Sequence, residues 1–286
     1  MLAQHVNDHY VALVRRLVPH VISVRYTFTP LRSKQDAEKL GLARLQKEYW
    51  YEILARAHAA SVITILRGLR WFDATLEMAS SNRYLGFAAA LRGLLESAAD
   101  SHDSLRCFSL TVAAHAQPIR RSLKGRATGL VLGPVLEDAL IHFLFARKAP
   151  KAAALPESHR AKQVKDYIAY LETKVPGVQA LYSKLCELTH AAKASVDPFF
   201  TQVGETEWTV IDPGDGDLIG ALLAEHGSLI QPILMHAFNP ALLALRMLNE
   251  FPTGQLHTVA LNSWDFSMIP AWREIQAELA NPRSAG

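Results

Sequence analysis

The stretch EYWYEILARAHAASVITILRGLRWFDATLEMA, residues 48–79, decides the fold class. Its apolar residues recur at intervals of three and four, which is the helical period, and no proline interrupts them. Ser80, Ser81 and Asn82 follow, and these residue types end one helix and cap the next. The helical period then resumes over 82–116. The two segments predict a long antiparallel helical hairpin that forms the spine of a bundle.

The remaining chain repeats the helical period, so the sequence predicts an all-α fold. Further helices are expected at about 3–19, 34–47, 129–147, 158–175, 177–193, 217–249 and 267–281. The one exception is FFTQVGETEWTVI, residues 199–211, where two β-prone runs flank Gly204 and Glu205. This arrangement predicts a small β-hairpin.

Charge divides the 286-residue chain into two parts. Residues 1–150 contain 20 Lys/Arg against 12 Asp/Glu, whereas residues 151–286 contain 10 against 15. We therefore expect a basic helical part and an acidic helical part, with 148–162 as a candidate linker. The acidic part either completes the same bundle or forms a second subdomain. A basic half is typical of a polyanion-binding face, or of halves or copies that pack together by charge.

The N-terminus and the apolar segments predict a cytoplasmic protein without a membrane span. The first residues contain Gln, His, Asn and Asp where a signal peptide requires a continuous apolar core. The apolar stretches 127–146 and 228–248 are interrupted by acidic or polar residues, which indicates buried core helices. Cys107 and Cys186 lie in apolar helical contexts, so we expect buried free thiols.

A charged stripe crosses the apolar segment YLGFAAALRGLLESAADSHDSL, residues 84–105. On a helix, Arg92, Glu96, Asp100 and Asp103 fall on one narrow face. The same face continues backwards through small and apolar residues. We therefore expect the stripe to enter the bundle at Arg92, where Arg92 and Glu96 pair across one turn. A buried pair needs further hydrogen bonds, which predicts partners on a neighbouring helix.

Two other helices carry histidine beside an acid. Asp138 and His142 are four residues apart in VLEDALIHFLF, and Glu187 precedes His190 by three in ALYSKLCELTHAAKAS. With Glu96 these residues are similar to the ligand sets of helical di-metal proteins. A metal site on Asp138, His142 and Glu187 is a weak alternative, and the leading prediction requires no cofactor.

The run AQPIRRSLKGRA, residues 116–127, contains a cluster of basic side chains between two predicted helices. The cluster consists of Arg120, Arg121, Lys124 and Arg126. Such side chains bind phosphates by charge and by bidentate guanidinium geometry. A solvated loop is the other interpretation.

The helix LRGLLESAAD and the later helix LYSKLCELTHAAKAS together resemble bacterial helical proteins related to the HEPN and abortive-infection families. The resemblance covers about 110 residues. In those proteins an Arg-x-x-x-Glu helix is followed much later by a helix with a Tyr and then a His. The matching positions here are Arg92, Glu96, Tyr182 and His190. The resemblance implies an all-α bundle, often dimeric, in RNA-targeting defence or toxin systems.

The chain departs from the HEPN ribonuclease pattern, in which the catalytic Arg is followed by His after four to six residues. A ribonuclease site would therefore combine Arg92 and His190 from separate helices. The leading hypothesis is metal-independent acid–base cleavage of RNA in a phage-defence or toxin-type system. In it Arg92 contacts phosphate or orders the site, Glu96 orients Arg92, and His190 and Tyr182 supply acid–base groups. The alternatives are a non-catalytic assembly protein, as a homo-oligomer or with a protein partner, and a di-metal enzyme.

Overall fold

Helices form most of the computed structural model, in which residues 2–28, 39–148, 156–191 and 193–280 are described. The prediction of an all-α fold with one small β-hairpin is confirmed.

Within the described residues, the α-helices and strands follow one another in this order: α1 (Asp8–Val21), α2 (Leu42–Ser80), α3 (Tyr84–Leu105), α4 (Phe108–Ala114), α5 (Ala116–Leu123), α6 (Pro134–Phe145), α7 (Val164–Glu172), α8 (Val178–Thr189), α9 (Lys193–Val196), β1 (Phe200–Gln202), β2 (Trp208–Val210), α10 (Asp215–His226), α11 (Ile230–Leu248) and α12 (Pro270–Ala280).

The chain forms two compact units. Unit 1 comprises Met1–Arg15, Leu66–Asp100 and Lys162–Ala237; unit 2 comprises Arg16–Ile65, Ser101–Ala161 and Phe238–Gly286. Each unit contains segments from both the basic part and the acidic part of the sequence. The division of the chain at residue 150 into a basic and an acidic helical part stays a prediction.

In unit 1, a tight turn joins α2 to α3. Asn82 has a φ of 48°, and the Arg83 N–H donates to the Met78 carbonyl at 2.9 Å. This left-handed residue with its backward hydrogen bond is a common way to end a helix. The Tyr84 N–H at the start of α3 donates to Asp215 Oδ2 at 2.9 Å. The turn therefore ends α2 as expected, while the cap of α3 comes from a residue 131 positions later.

Two glycines let α2 and α3 approach closely within unit 1. A Cβ on Gly93 would lie 2.7 Å from the Trp71 ring, and one on Gly86 would lie 2.6 Å from Met78 Sδ. Trp71 thus faces Gly93 and Met78 faces Gly86, so the two segments run antiparallel. The predicted helical hairpin is present in this unit.

Several predicted helix boundaries differ from the structure. No break occurs between residues 47 and 48, because α2 begins at Leu42. The predicted helix 82–116 ends at Leu105 and is followed by α4 and α5. Leu105, Phe108 and Val112 are all buried. Their spacing is that of a continuous helix, which explains why periodicity did not reveal the break.

One helical stretch of the described residues, Asp215–Leu248, is long and apolar enough to cross a membrane by length and composition. Of its most apolar window, 39% is buried in the protein. A short 3-10 turn, Gly227–Leu229, separates α10 from α11 inside it, and α11 contains Pro240.

The buried faces of α3 and α8 form part of the unit 1 core. Leu91, Leu94 and Leu95 of α3 are at most 1% exposed, and Leu181 and Leu185 of α8 are fully buried. The helical period turns the residues next to them towards the edge of the core. The candidate site lies at this edge.

Candidate functional site

Arg92 lies at the edge of the buried face of α3. Its Nε donates to Glu96 Oε1 at 2.9 Å, with the two side chains 25% and 30% exposed. On the preceding turns of the same face, Ala88 is buried but Leu85 and Ala89 are exposed. The predicted pair therefore forms, and it is half-buried at the edge of the core rather than inside it. The spacing fixes which way a side chain points but not where the neighbouring helix ends.

The rest of the charged stripe has other partners. The Asp100 carboxylate accepts a hydrogen bond from Arg67 of α2, and Arg67 Nε donates to Ser97 Oγ at 2.9 Å. Asp103 belongs to unit 2. Arg92 and Glu96 thus form one ion pair of the stripe, and Asp100 belongs to a second one with Arg67.

Two side chains of α8 and the residue that follows the helix contact Arg92 or Glu96. Arg92 Nη1 donates to Thr189 Oγ1 at 3.0 Å, and the Tyr182 hydroxyl donates to Glu96 Oε1 at 3.2 Å. The helix ends at Thr189, and His190 has extended backbone angles. Its exposed imidazole Nε2 lies 3.3 Å from Arg92 Nη1. The predicted partners on a neighbouring helix are therefore present.

The Arg92–His190 contact fixes the form of the imidazole. A guanidinium group has only donors, so His190 Nε2 accepts and the ring proton of the neutral form lies on Nδ1. Arg92 Nη2 makes no hydrogen bond within the described residues. The site therefore combines an unoccupied guanidinium donor with an imidazole that can accept a proton once Nη1 is withdrawn.

Charge and burial act on the groups behind this contact. Partial burial opposes the charge of Arg92, but the hydrogen bond and the negative charge of Glu96 raise its pKa above the usual value. Burial raises the pKa of Tyr182 to about 12, and Cys186 and Glu96 act in the same direction. Tyr182 is therefore a neutral donor at physiological pH. Its geometry suits holding Glu96 better than exchanging a proton.

Thr189 was not identified by sequence reasoning. Its hydroxyl accepts from Arg92 and donates to the Leu185 carbonyl at 2.7 Å, as threonines in helices commonly do. The sequence feature that could have identified Thr189 is its position seven residues after Tyr182, which places both residues on the same face of α8, two turns apart.

Both cysteines are free thiols, as expected, but their predicted burial is wrong. Cys107 is exposed and Cys186 is half-buried. Cys107 lies in the break between α3 and α4, where the sequence predicted the interior of a helix.

The predicted nucleic-acid-binding cluster lies in unit 2, partly on α5 and partly after it. Arg120 Nε donates to the Glu250 carbonyl at 2.9 Å, and its guanidinium lies over the Phe251 ring. Arg121, Lys124 and Arg126 are exposed. Three of the four predicted phosphate contacts are thus accessible, and Arg120 is occupied within the unit.

The residues considered for a di-metal site are divided between the two units. Glu96, Glu187 and His190 belong to unit 1, whereas Asp138 and His142 belong to unit 2. Within the described ranges, no three His, Cys, Asp or Glu side chains form a group that could hold a metal ion. The di-metal hypothesis gains no support from the geometry.

Comparisons of the chain with family models, with characterised proteins and with solved structures give no match. The resemblance to HEPN and abortive-infection proteins stays an expectation from the two helices that carry it.

Proposed function

We propose that the chain is a HEPN-like, metal-independent endoribonuclease. The observation that supports this proposal best is the 3.3 Å approach of Arg92 Nη1 to His190 Nε2 at an exposed edge of unit 1. A permanent cation beside an imidazole can stabilise the developing charge and transfer the proton in RNA cleavage without a metal. From the resemblance we extend the proposal to a cytoplasmic bacterial defence or toxin-type system.

The reaction starts with displacement of the imidazole. A substrate phosphate takes the donors Nη1 and Nη2 of Arg92, which match phosphate oxygens in a bidentate contact. His190 Nε2 is then released and accepts the proton of the ribose 2′-hydroxyl. The 2′-oxygen bonds to phosphorus as the bond from phosphorus to the 5′-oxygen breaks. The imidazolium returns its proton to that 5′-oxygen, leaving a 2′,3′-cyclic phosphate and a 5′-hydroxyl.

Glu96 and Tyr182 are positioning residues in this scheme. Glu96 accepts from Arg92 Nε and leaves both Nη atoms of the guanidinium for phosphate. The Tyr182 hydroxyl holds the same carboxylate oxygen. This support keeps the guanidinium plane in place, which lowers the ordering cost when phosphate binds.

The test is cleavage of single-stranded RNA by purified His190→Ala, with detection of cyclic phosphate ends. We expect activity to fall by about 10²–10⁴-fold, the range for loss of an acid–base group. The thermal melt should hardly change, because His190 is exposed. His115→Ala, at another exposed histidine, is the matched control and should retain activity. Equal activity of the His190 variant and wild type would refute the proposal.

A non-catalytic assembly role is the second candidate, favoured by the way Arg92 joins two helices. Its side chain bonds to Glu96 on α3 and to Thr189 of α8. If this network only fixes packing, Arg92→Ala lowers the free energy of unfolding and no RNA is cleaved by wild type. Measuring the melt and the cleavage on the same samples separates the two roles.

A further inference from the structure

The β-hairpin of unit 1 presents an apolar face to solvent. The pairing of Phe200 with Val210 and of Gln202 with Trp208 places these four side chains on one face. Phe200 and Trp208 stack with ring centroids 5.2 Å apart, and Trp208 and Val210 are 53% and 75% exposed. Such an exposed aromatic surface is typical of a binding site.

The surroundings of this face are acidic. Between residues 194 and 217 the sequence contains six acidic side chains and no lysine or arginine. Among the acidic ones, Glu205, Glu207 and Asp212 are exposed on or beside the hairpin. We call residues 200–212 the acidic hairpin. Its charge repels phosphate groups, so nucleic acid does not fit this surface despite the aromatic rings.

Unit 2 contains a surface of the opposite charge. Between residues 117 and 136 the sequence contains four basic side chains and no acidic one. Leu130, Leu132 and Val135 in this segment are 62%, 54% and 76% exposed. We call residues 121–135 the basic loop.

The basic loop is held in place by its backbone. The Val131 N–H donates to Gln46 Oε1 at 2.9 Å, and the Val131 carbonyl accepts from Trp50 Nε1 at 3.1 Å. The Gly133 N–H donates to the Tyr49 hydroxyl at 2.9 Å. These bonds fix the loop on α2 while its apolar side chains point outwards. Ordered aliphatic side chains fit an apolar protein surface, whereas RNA bases stack on aromatic rings.

We propose that the acidic hairpin of one copy of the chain binds the basic loop of a second copy. Exposed acids on one surface meet exposed Arg121, Lys124 and Arg126 on the other, and both carry uncovered apolar side chains. An arginine of the loop also finds a cation–π partner in Trp208. Each copy has both surfaces, so the complementary charges join two copies of the same chain. This proposal does not depend on the ribonuclease activity.

Charge reversal tests the pairing, with the molar mass of the full chain measured by light scattering over a wide concentration range. Glu205→Lys with Glu207→Lys reverses the hairpin, and Lys124→Glu with Arg126→Glu reverses the loop. We expect a dimer for wild type and a dissociation constant raised by about a hundredfold in either reversed variant. The variant with both reversals should be a dimer again, since the charges are complementary once more. Lys165→Glu with Asp166→Lys, on the exposed side of α7, is the control and should behave as wild type.

Three results would overturn the proposal. They are a wild-type chain of single-copy mass at every concentration, a dimer that neither reversal weakens, and monomeric reversed variants that the combination does not rescue. In each case, binding of a fluorescent single-stranded RNA to the loop-reversed variant is measured as well. A loss of RNA binding without a change in mass assigns the basic loop to RNA.

Discussion

Arg92 in unit 1 and Arg56 in unit 2 form the same local pair in opposite surroundings. Arg92 pairs with Glu96 one turn later on α3, and Arg56 pairs with Glu52 one turn earlier on α2. The Arg56 and Glu52 side chains are only 14% and 19% exposed. The guanidinium of Arg56 lies 5.7 and 6.0 Å from the ring centroids of Phe28 and Phe145. One pair faces solvent beside a histidine, and the other is enclosed by aromatic rings.

The difference lies in the nitrogen atoms that remain after the pair has formed. Arg56 Nε is buried and has no hydrogen-bond partner within the described residues. It is enclosed, so a substrate cannot reach it. Arg92 Nη1 contacts an exposed imidazole, and its Nη2 has no hydrogen-bond partner in the part of the chain that the structure describes. An i,i+4 Arg–Glu pair is therefore compatible with a site or with a packing element, and its accessible donors separate the two.

Among substitutions at the two Arg–Glu pairs, Arg92→Ala is expected to have the largest effect, and this effect is on catalysis. Loss of its donors to the phosphate should reduce RNA cleavage by about 10²–10³-fold. The free energy of unfolding should fall by only about 1 kcal/mol, because the pair is partly exposed. Cleavage assays and denaturant unfolding on the same preparation measure both. The distinction between the two Arg–Glu pairs is wrong if the folded fraction of Arg56→Ala loses as much RNA-cleaving activity as Arg92→Ala does.

The next effect is on stability, by Arg56→Ala. The substitution leaves the Glu52 carboxylate mostly buried without its partner and removes the packing on Phe28 and Phe145. We expect a loss of about 3 kcal/mol in the free energy of unfolding, measured with urea. Arg44→Ala is a matched control on the same helix, since its pair with Glu48 is exposed; it should cost about 0.5 kcal/mol. A loss of only about 0.5 kcal/mol for Arg56→Ala would show that the Arg56–Glu52 pair contributes no more to stability than the exposed Arg44–Glu48 pair.

The pH dependence of stability extends the comparison to His58, which lies near the same aromatic cluster. His58 Nδ1 is 2.6 Å from the Tyr26 hydroxyl, and burial lowers the pKa of His58 from 6.5 to about 4. In the unfolded chain His58 takes up its proton near pH 6.5, but in the folded chain only near pH 4. Its contribution is thus complete above pH 6.5 and is lost as the pH falls to about 4.

This difference corresponds to roughly 3 kcal/mol of unfolding free energy, at about 1.4 kcal/mol for each pH unit. Urea unfolding of wild type and His58→Gln between these pH values measures it. The free energy of unfolding should depend less steeply on pH in His58→Gln than in wild type. If it depends on pH equally in both proteins, another group controls the acid sensitivity of unit 2.

The smallest effect is expected from Tyr182→Phe. Removing the hydroxyl leaves Glu96 paired with Arg92 but less firmly held, so cleavage should fall about fivefold, as for one hydrogen bond of about 1 kcal/mol. Because the pKa of Tyr182 is raised to about 12, the phenol stays protonated below pH 10. The pH–rate profile of the variant should keep the wild-type shape between neutrality and that pH. A profile that loses its alkaline limb would give Tyr182 a proton-transfer role instead.

Local spacing predicted the Arg92–Glu96 pair, and the cost of burying such a pair predicted partners on another helix. The family resemblance supplied Tyr182 and His190 as those partners. Thr189 escaped notice because a threonine in a helix usually bonds to its own backbone, which it also does here. The exposure of Leu85 and Ala89 was missed because alanine and leucine are equally compatible with a covered or an open face.

The least predictable features depend on contacts between distant parts of the chain. The basic loop is shaped by Gln46, Tyr49 and Trp50, which lie more than 80 positions earlier. Composition alone identified its charge but not that its aliphatic side chains point outwards. In the same way, the i,i+4 rule cannot tell Arg56 from Arg92, because the enclosing Phe28 and Phe145 come from other segments.

The interleaving of the two units along the chain has a consequence during synthesis. Unit 1 draws on the first, middle and later parts of the sequence, and Arg92 and His190 are 98 positions apart. A nascent chain that stops before residue 190 has the guanidinium but no imidazole, so it cannot carry out the proposed cleavage. Long-range closure of this kind slows folding relative to a bundle of neighbouring helices. The proposed cleavage of RNA is thereby withheld until residue 190, two thirds of the way along the chain, has left the ribosome.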